Sequence, residues 1–347
     1  GGLHVGPPFS FGDRCGMARA MSDNKPFLPP EWAPQAALWC GWPHLADEWG
    51  GNLEGPRAQI AGFIRAAAAH VPVRVAAGSA EALASANSAV GDVAKVMEVP
   101  AGDIWLRDTG PIVTGQGAAR EAQAFRFNGW GGKYLMPGDT ETAGAIAASE
   151  SLPVSQHPIV LEGGAIDADG KGRLLTTRQC LLNPNRNPDL TADQIEARIC
   201  AALGIDEMIW LGDGLLNDHT DGHVDNIARF IGPGRALCQM PSGAGDPNTE
   251  ILLEIEATLR DAGLDVATIP SPGLVRGGDG EPIPASHMNF TITNGAVLVP
   301  VYEDHYSLVA LADMKVLFPG RKIIGLPAGH ILGGGGSFHC MTREIPA

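Results

Sequence analysis

The sequence predicts an α/β protein built from repeated units set about an axis. Two observations carry this. A polar residue opening an apolar hairpin recurs along the chain, with helices between the hairpins, at intervals of roughly 50–65 residues. The hairpin turns are marked by their chemistry: Gly115-Gln116-Gly117, Asp169-Gly170-Lys171-Gly172, Gly232-Pro233-Gly234 and Asn294-Gly295. Asn-Gly between two apolar runs is the strongest short hairpin signal. The chain has 347 residues, 44% of them hydrophobic and 18% charged, enough for a substantial core. An ordinary α/β chain with this spacing by coincidence is the competing account of the layout.

In order, Pro29-Pro30-Glu31-Trp32 reads as a turn, and 36–42 as a short apolar strand stopped by Trp42-Pro43. A helix is expected over 56–70, with Pro56 suited to its first turn. A strand follows over 71–77, then a helix over 79–90 capped by Ser79. The first hairpin comes after Asp108, the second after Glu162-Gly163-Gly164, the third after His223-Val224-Asp225-Asn226, and the fourth after Ser286-His287-Met288-Asn289. Between them, a helix over 191–203 opens on Thr191 and Gln194 as a capping box and stops at Gly204. Another over 248–262 is expected to be capped by Asn248, and a third covers 306–318.

The formal net charge is −15, which argues against nucleic acid and anionic membranes as partners and favours a small cationic ligand. No apolar run approaches the roughly 18 residues that suggest a membrane span. Six widely separated cysteines without a C-x-x-C pair read as a reduced, cytoplasmic protein. Residues 1–20 fit nothing downstream and are set apart as a leader or tag remnant. Residues 21–347 are expected to form one domain.

The chemistry centres on Gly333-Gly334-Gly335-Gly336-Ser337-Phe338-His339-Cys340. Four glycines serve neither helix nor packed strand well, but they suit a backbone that approaches a ligand closely. They are expected to hold Cys340 at the floor of a cleft as a nucleophile, the alternative being an inert buried thiol. Asp108, Glu162, His223 and Asp225 supply carboxylates and an imidazole as its walls. Carboxylates grip a planar guanidinium through paired, charge-assisted hydrogen bonds. Between Asp108 and Asp225 its carbon would face Cys340, with His223 moving the protons and Glu162 orienting His223 or taking a further guanidinium proton. Taken singly, each residue has a plainer account. His223 suits a structural turn, Asp108 an ion pair with Arg107 or a turn cap, and Glu162 a surface loop. Asp218, His219, Asp221, His223 and Asp225 together could instead bind a metal, a reading that leaves the glycine-cysteine end unexplained.

Several longer motifs resemble one family. They are Trp105-Leu106-Arg107-Asp108-Thr109-Gly110-Pro111, Phe127-Asn128-Gly129-Trp130-Gly131-Gly132, Leu161-Glu162-Gly163-Gly164, Cys180-Leu181-Leu182-Asn183-Pro184-Asn185-Arg186-Asn187-Pro188, Asp221-Gly222-His223-Val224-Asp225-Asn226 and the stretch 333–340. In this order they resemble the agmatine deiminases and the related bacterial-type peptidyl-arginine deiminases. The resemblance runs from about Pro29 to the end. It implies a five-bladed α/β propeller of the guanidine-modifying superfamily, made of pseudo-fivefold ββαβ units, with no cofactor and no metal. It places the family's nucleophile on Cys340 and its acid/base on His223. The active-site glutamate falls on Glu162, the guanidinium-binding aspartates on Asp108 and Asp225, and a substrate-facing tryptophan on Trp105. The implied reaction turns agmatine into N-carbamoylputrescine and ammonia through a cysteine thiouronium, on a route to putrescine and the polyamines. A homo-oligomer, commonly a dimer, is implied as well. Gly336 or Ser337 stands where the family usually has Asn, His287 where Tyr is common, and the Arg343-Glu344 tail leans toward the peptidyl-arginine branch. A peptidyl-arginine deiminase or an amidinotransferase is the alternative within the superfamily. A non-catalytic binder of a guanidine is the alternative from another class, and a metal-dependent hydrolase ranks behind both.

Overall fold

The computed structural model describes residues 26–302 and 305–347, and the stretch 1–20 set apart above lies outside them. The described residues form an α/β fold of five separate sheets, none closed on itself. Four sheets share one plan. Two strands pair antiparallel, and a third joins parallel beside the second. Ile112–Thr114, Glu121–Arg126 and Val154–Val160 form one such sheet. Asp167–Ala168, Arg173–Thr177 and Glu207–Leu211 form the next. Ala228–Gly232, Arg235–Met240 and Asp265–Pro270 form the third, and Thr291–Ile292, Ala296–Val301 and Lys322–Pro327 the fourth.

The fifth sheet joins the two ends of the described chain. The C-terminal strand Thr342–Pro346 runs antiparallel to Gln35–Trp42, with Cys40 opposite Thr342. Val73–Ala77 and Lys95–Glu98 then extend it in parallel. The hairpins expected from their turns are all present. This closing pair was not expected, because no local turn signals it. It fixes Cys340 two residues before a strand.

Parallel neighbours need a crossover, and helices supply it. Glu54–Ala68 buries Ile60, Phe63, Ile64 and Ala67 against Leu38, Val73 and Val75. Ala80–Val90 starts at Ser79, whose hydroxyl accepts from the Ala82 amide at 3.1 Å. Ala192–Leu203 carries the expected Thr191–Gln194 capping box and ends at Gly204 in the left-handed region. Thr249–Asp261 departs from expectation at its cap. The Asn248 side chain makes no capping bond and instead accepts from the Leu216 amide at 2.8 Å, fastening a distant loop. His305–Leu317 crosses the fourth three-stranded sheet. In the second unit the expected strand start at Ala165 is a 3₁₀ turn over Gly163–Ala165, because Glu162 and both glycines are drawn into the site.

Candidate active site

The hairpin starts converge. Asp108 lies on a single helical turn, Leu106–Thr109, and Asp225 on a 3₁₀ turn, Val224–Asn226, with His223 immediately before it. The point of convergence is marked by Gly164. A Cβ there would lie 2.5 Å from His223 Nδ1, 3.0 Å from Asp108 Oδ1 and 3.2 Å from Asp225 Oδ2. Only hydrogen fits, which is the physical reason for the Glu-Gly-Gly motif. The Gly164 amide donates to Asp108 Oδ1 at 2.9 Å, and Trp130 Nε1 donates to Asp108 Oδ2 at the same distance.

The glycine loop and Cys340 line one cavity, and the packing around the loop gives a reason for its glycines that the sequence did not reveal. A Cβ on Gly334 would meet the Trp49 ring at 2.5 Å, and one on Gly336 would meet Trp105 at 2.6 Å and the Cys340 Cβ at 3.0 Å. Trp49 and Trp105 stack with centroids 6.0 Å apart. The loop, both indoles of Trp105 and Trp130, Met136 and Tyr134 enclose a cavity of about 160 Å³ that reaches Asp108 and Cys340. Glu48 and Asp103 also line it, and among the described residues no lysine or arginine does.

Cys340 is nearly fully buried. Asn289 Nδ2 donates to its sulfur at 3.0 Å, and Asp225 Oδ2 stands 3.7 Å from the sulfur. Burial, then Asp225 and Asp108, push its thiol well above the ordinary range. His223 is 0% exposed, with Nδ1 3.8 Å from Asp108 Oδ1. Burial acts against its imidazolium, but Asp108, Cys180 and Glu162 outweigh burial and hold it well above its usual value. Glu162 is tied through Oε1 to Arg186 Nε at 2.6 Å, and Arg186 also binds Asp221 at 2.7 Å. Asp225 accepts through Oδ2 from His339 Nδ1 at 2.7 Å and keeps Oδ1 buried without a hydrogen bond.

The acidic and histidine run considered as a metal site is not gathered. Asp218 accepts from Thr220 and Asn226, Asp221 holds Lys133, Asn185 and Arg186, and His219 packs on Tyr134. Sequence reasoning missed Asn289, Arg186, Trp130, Trp49 and His339 as partners of the site. Asn289 had a signal, since it opens the fourth hairpin. Arg186 sat in a quoted motif without a role. Neither Ser337 nor His287 lines the cavity; His287 is buried against Tyr302. The Arg343-Glu344 tail lies in a second cavity of about 40 Å³ with Arg107, Glu31 and His339, away from the first.

Residues 27–346 match the family model of the Porphyromonas-type peptidyl-arginine deiminases, and the chain belongs to that family. An agmatine deiminase of Stutzerimonas stutzeri is 37% identical over 353 residues, covering 92% of this chain and 95% of the relative. The solved agmatine deiminase of Enterococcus faecalis is 30% identical with a TM-score of 0.86, covering 92% of this chain and 96% of its own. A C. jejuni agmatine deiminase solved with substrate bound is 27% identical with a TM-score of 0.86, covering 93% and 96%. No helix among the described residues is long and apolar enough to cross a membrane.

Proposed function

We propose that this protein is an agmatine deiminase, a hydrolase that cleaves a C–N bond of a small cationic guanidine. One observation carries the reading. Cys340 and Asp108 line a cavity of acids and indoles in which no described lysine or arginine takes part, and behind them His223 and Asp225 close with Asp108 around Gly164. The likeness to agmatine deiminases over nearly the whole chain supports it.

The guanidinium lies between Asp108 and Asp225, using the unspent Oδ1 of Asp225. Trp105 covers its face. The bound cation offsets the two carboxylates that hold the Cys340 proton, so the thiol gives that proton to solvent as substrate arrives and thiolate remains. The thiolate adds to the guanidinium carbon. His223, already an imidazolium, gives its proton to the departing nitrogen, and ammonia leaves. The remaining group is a thiouronium on Cys340. His223 then takes a proton from water, hydroxide adds to the same carbon, and the C–S bond breaks as the hydroxyl proton passes to the departing sulfur, releasing N-carbamoylputrescine and the Cys340 thiol. Glu162, locked by Arg186, keeps His223 charged.

The five repeated units support a five-bladed arrangement about the site, each hairpin start facing inward. We also take residues 21–347 as one catalytic domain that works in the cytoplasm as a homodimer. The test is direct. Incubation with agmatine should release ammonia and a ureido product, and a blocked arginine peptide should release neither. Release from the peptide alone would move the protein to the peptidyl-arginine branch. Release from no guanidine would leave only a binding role.

A further inference from the structure

Cys180 lies beside His223 and Glu162, and the reaction above gives it no task. It sits on the short helix Arg178–Leu181. The Thr177 hydroxyl accepts from the Cys180 amide at 3.2 Å and donates to the Gly222 carbonyl at 2.6 Å. That one hydroxyl ties the turn bearing the thiol to the turn bearing His223. The Cys180 sulfur, a His223 ring nitrogen and a Glu162 carboxylate oxygen all lie within 4.8 Å of one another, and all three residues are 0% exposed. Glu162 Oε2 makes no hydrogen bond, and the His223 ring has no oxygen or nitrogen partner, only the Cys180 thiol beside it. Buried polar atoms are nearly always satisfied, so unspent donor atoms around one point call for an explanation. Arg186 holds the other oxygen of Glu162, which fixes the carboxylate as an outer partner fixes a metal ligand.

We propose that Glu162, Cys180 and His223 form a site for a thiophilic divalent cation such as Zn²⁺, and that filling it reversibly silences the enzyme. Thiolate, imidazole and carboxylate with one position left open suit Zn²⁺ or Co²⁺. On binding, the Cys180 thiol proton and one ring proton of the His223 imidazolium both go to solvent, so His223 binds as the neutral ring. Two anionic ligands balance the dication, so Arg186 meets no added charge. Silencing follows because the metal takes the His223 lone pair that must carry the proton of the leaving nitrogen. The silencing rests on the roles given to His223 and Glu162; the binding does not.

Co²⁺ alone is the probe, on the full chain carrying Cys340→Ala so that the nucleophile contributes no sulfur. Equilibrium dialysis should retain one Co²⁺ per chain, with a sulfur-to-cobalt charge-transfer band. Adding Cys180→Ala should remove the band and weaken binding by at least about 100-fold, more than the loss of an outer partner. Glu162→Gln in the same background should keep the band and weaken binding by at least about tenfold, which decides the matter even where Cys180→Ala does not fold. A band that survives without Cys180, or no retained Co²⁺ in the Cys340→Ala chain, overturns the site. With Cys340 restored, Zn²⁺ should lower ammonia release from agmatine and a chelator should restore it. Cys180→Ser should shift that inhibition to higher Zn²⁺ by the factor seen for Co²⁺. An unshifted curve overturns the silencing. A chain that never releases ammonia leaves the cobalt result standing, so the two failures are distinct.

Discussion

Two buried charge networks lie back to back, divided by single peptide bonds. Asp108 and Cys340 line the first cavity, while their neighbours Arg107 and His339 line the second. In the second network carboxylate and guanidinium are matched. Glu31 and Asp167 hold Arg229, and Glu344 holds Arg107 at 2.7 Å with Arg343 alongside. In the first, Asp103, Asp108 and Asp225 pair with no lysine or arginine among the described residues; Arg186 neutralises Glu162, and Asp108 has only the His223 ring at 3.8 Å. The same residue types in similar burial therefore do different work. Matched charges fasten the chain, here the N-terminal Glu31 to the body. Unmatched carboxylates leave a place for a cation to arrive.

The sharpest break is expected at Cys340. Cys340→Ser should abolish turnover while circular dichroism stays unchanged, and substantial residual rate would remove the sulfur from its role. Arg229→Met should break the matched network instead. It leaves Glu31 and Asp167 buried without their partner, a loss of about 3–5 kcal/mol in chemical denaturation, falling on stability and not on KM. Asp108→Asn and Asp225→Asn should do the reverse. Each removes a charge-assisted contact worth roughly 1.5–3 kcal/mol, read in KM and kcat/KM for agmatine with the denaturation midpoint held. If Arg229→Met raised KM as much as the aspartate variants, the division between the networks would fail.

The unmatched side was largely legible in the sequence, and the matched side was not. Asp108, Glu162, His223 and Cys340 each sit within a few residues of the glycines or tryptophans that make room for them, so the motif is local. Gly336 is written a few residues before the Cys340 it admits, whereas Gly164 makes room for Asp108, His223 and Asp225 from other units. Arg229, Asp167 and Glu31 find one another across separate units, Arg229 and Glu31 198 residues apart, and no local pattern announces an ion pair. The hairpins were legible because a two-residue turn carries its own signal. The sheet joining Gln35–Trp42 to Thr342–Pro346 was not, since its pairing depends on the closure of everything between. Asn248 shows the opposite failure. Its sequence context reads as a helix cap, and a tertiary hydrogen bond claims the side chain instead.

The smallest expected effect tests the mouth of the unmatched side. Asp103 is nearly buried, lines the cavity and accepts from Trp49 Nε1 at 3.2 Å. Burial pushes its carboxyl up to about 7, with Glu48 and Asp139 adding to the rise and the Ile104 amide and Trp49 opposing it. Above that pH Asp103 is an anion that attracts the ammonium tail of agmatine. KM for agmatine should therefore fall a few-fold as pH rises through about 7, while KM for an alkylguanidine without the amine should not follow. Asp103→Asn should remove the difference between the two substrates. Stability moves the other way. A carboxyl raised in the folded state favours folding while protonated, so its contribution is full below about pH 4 and is lost as pH rises toward about 7. Asp103→Asn should flatten that slope as well. Equal pH trends in KM for both guanidines would place the recognition of the tail elsewhere, with Glu48 at the exposed rim as the remaining carboxylate of the cavity mouth.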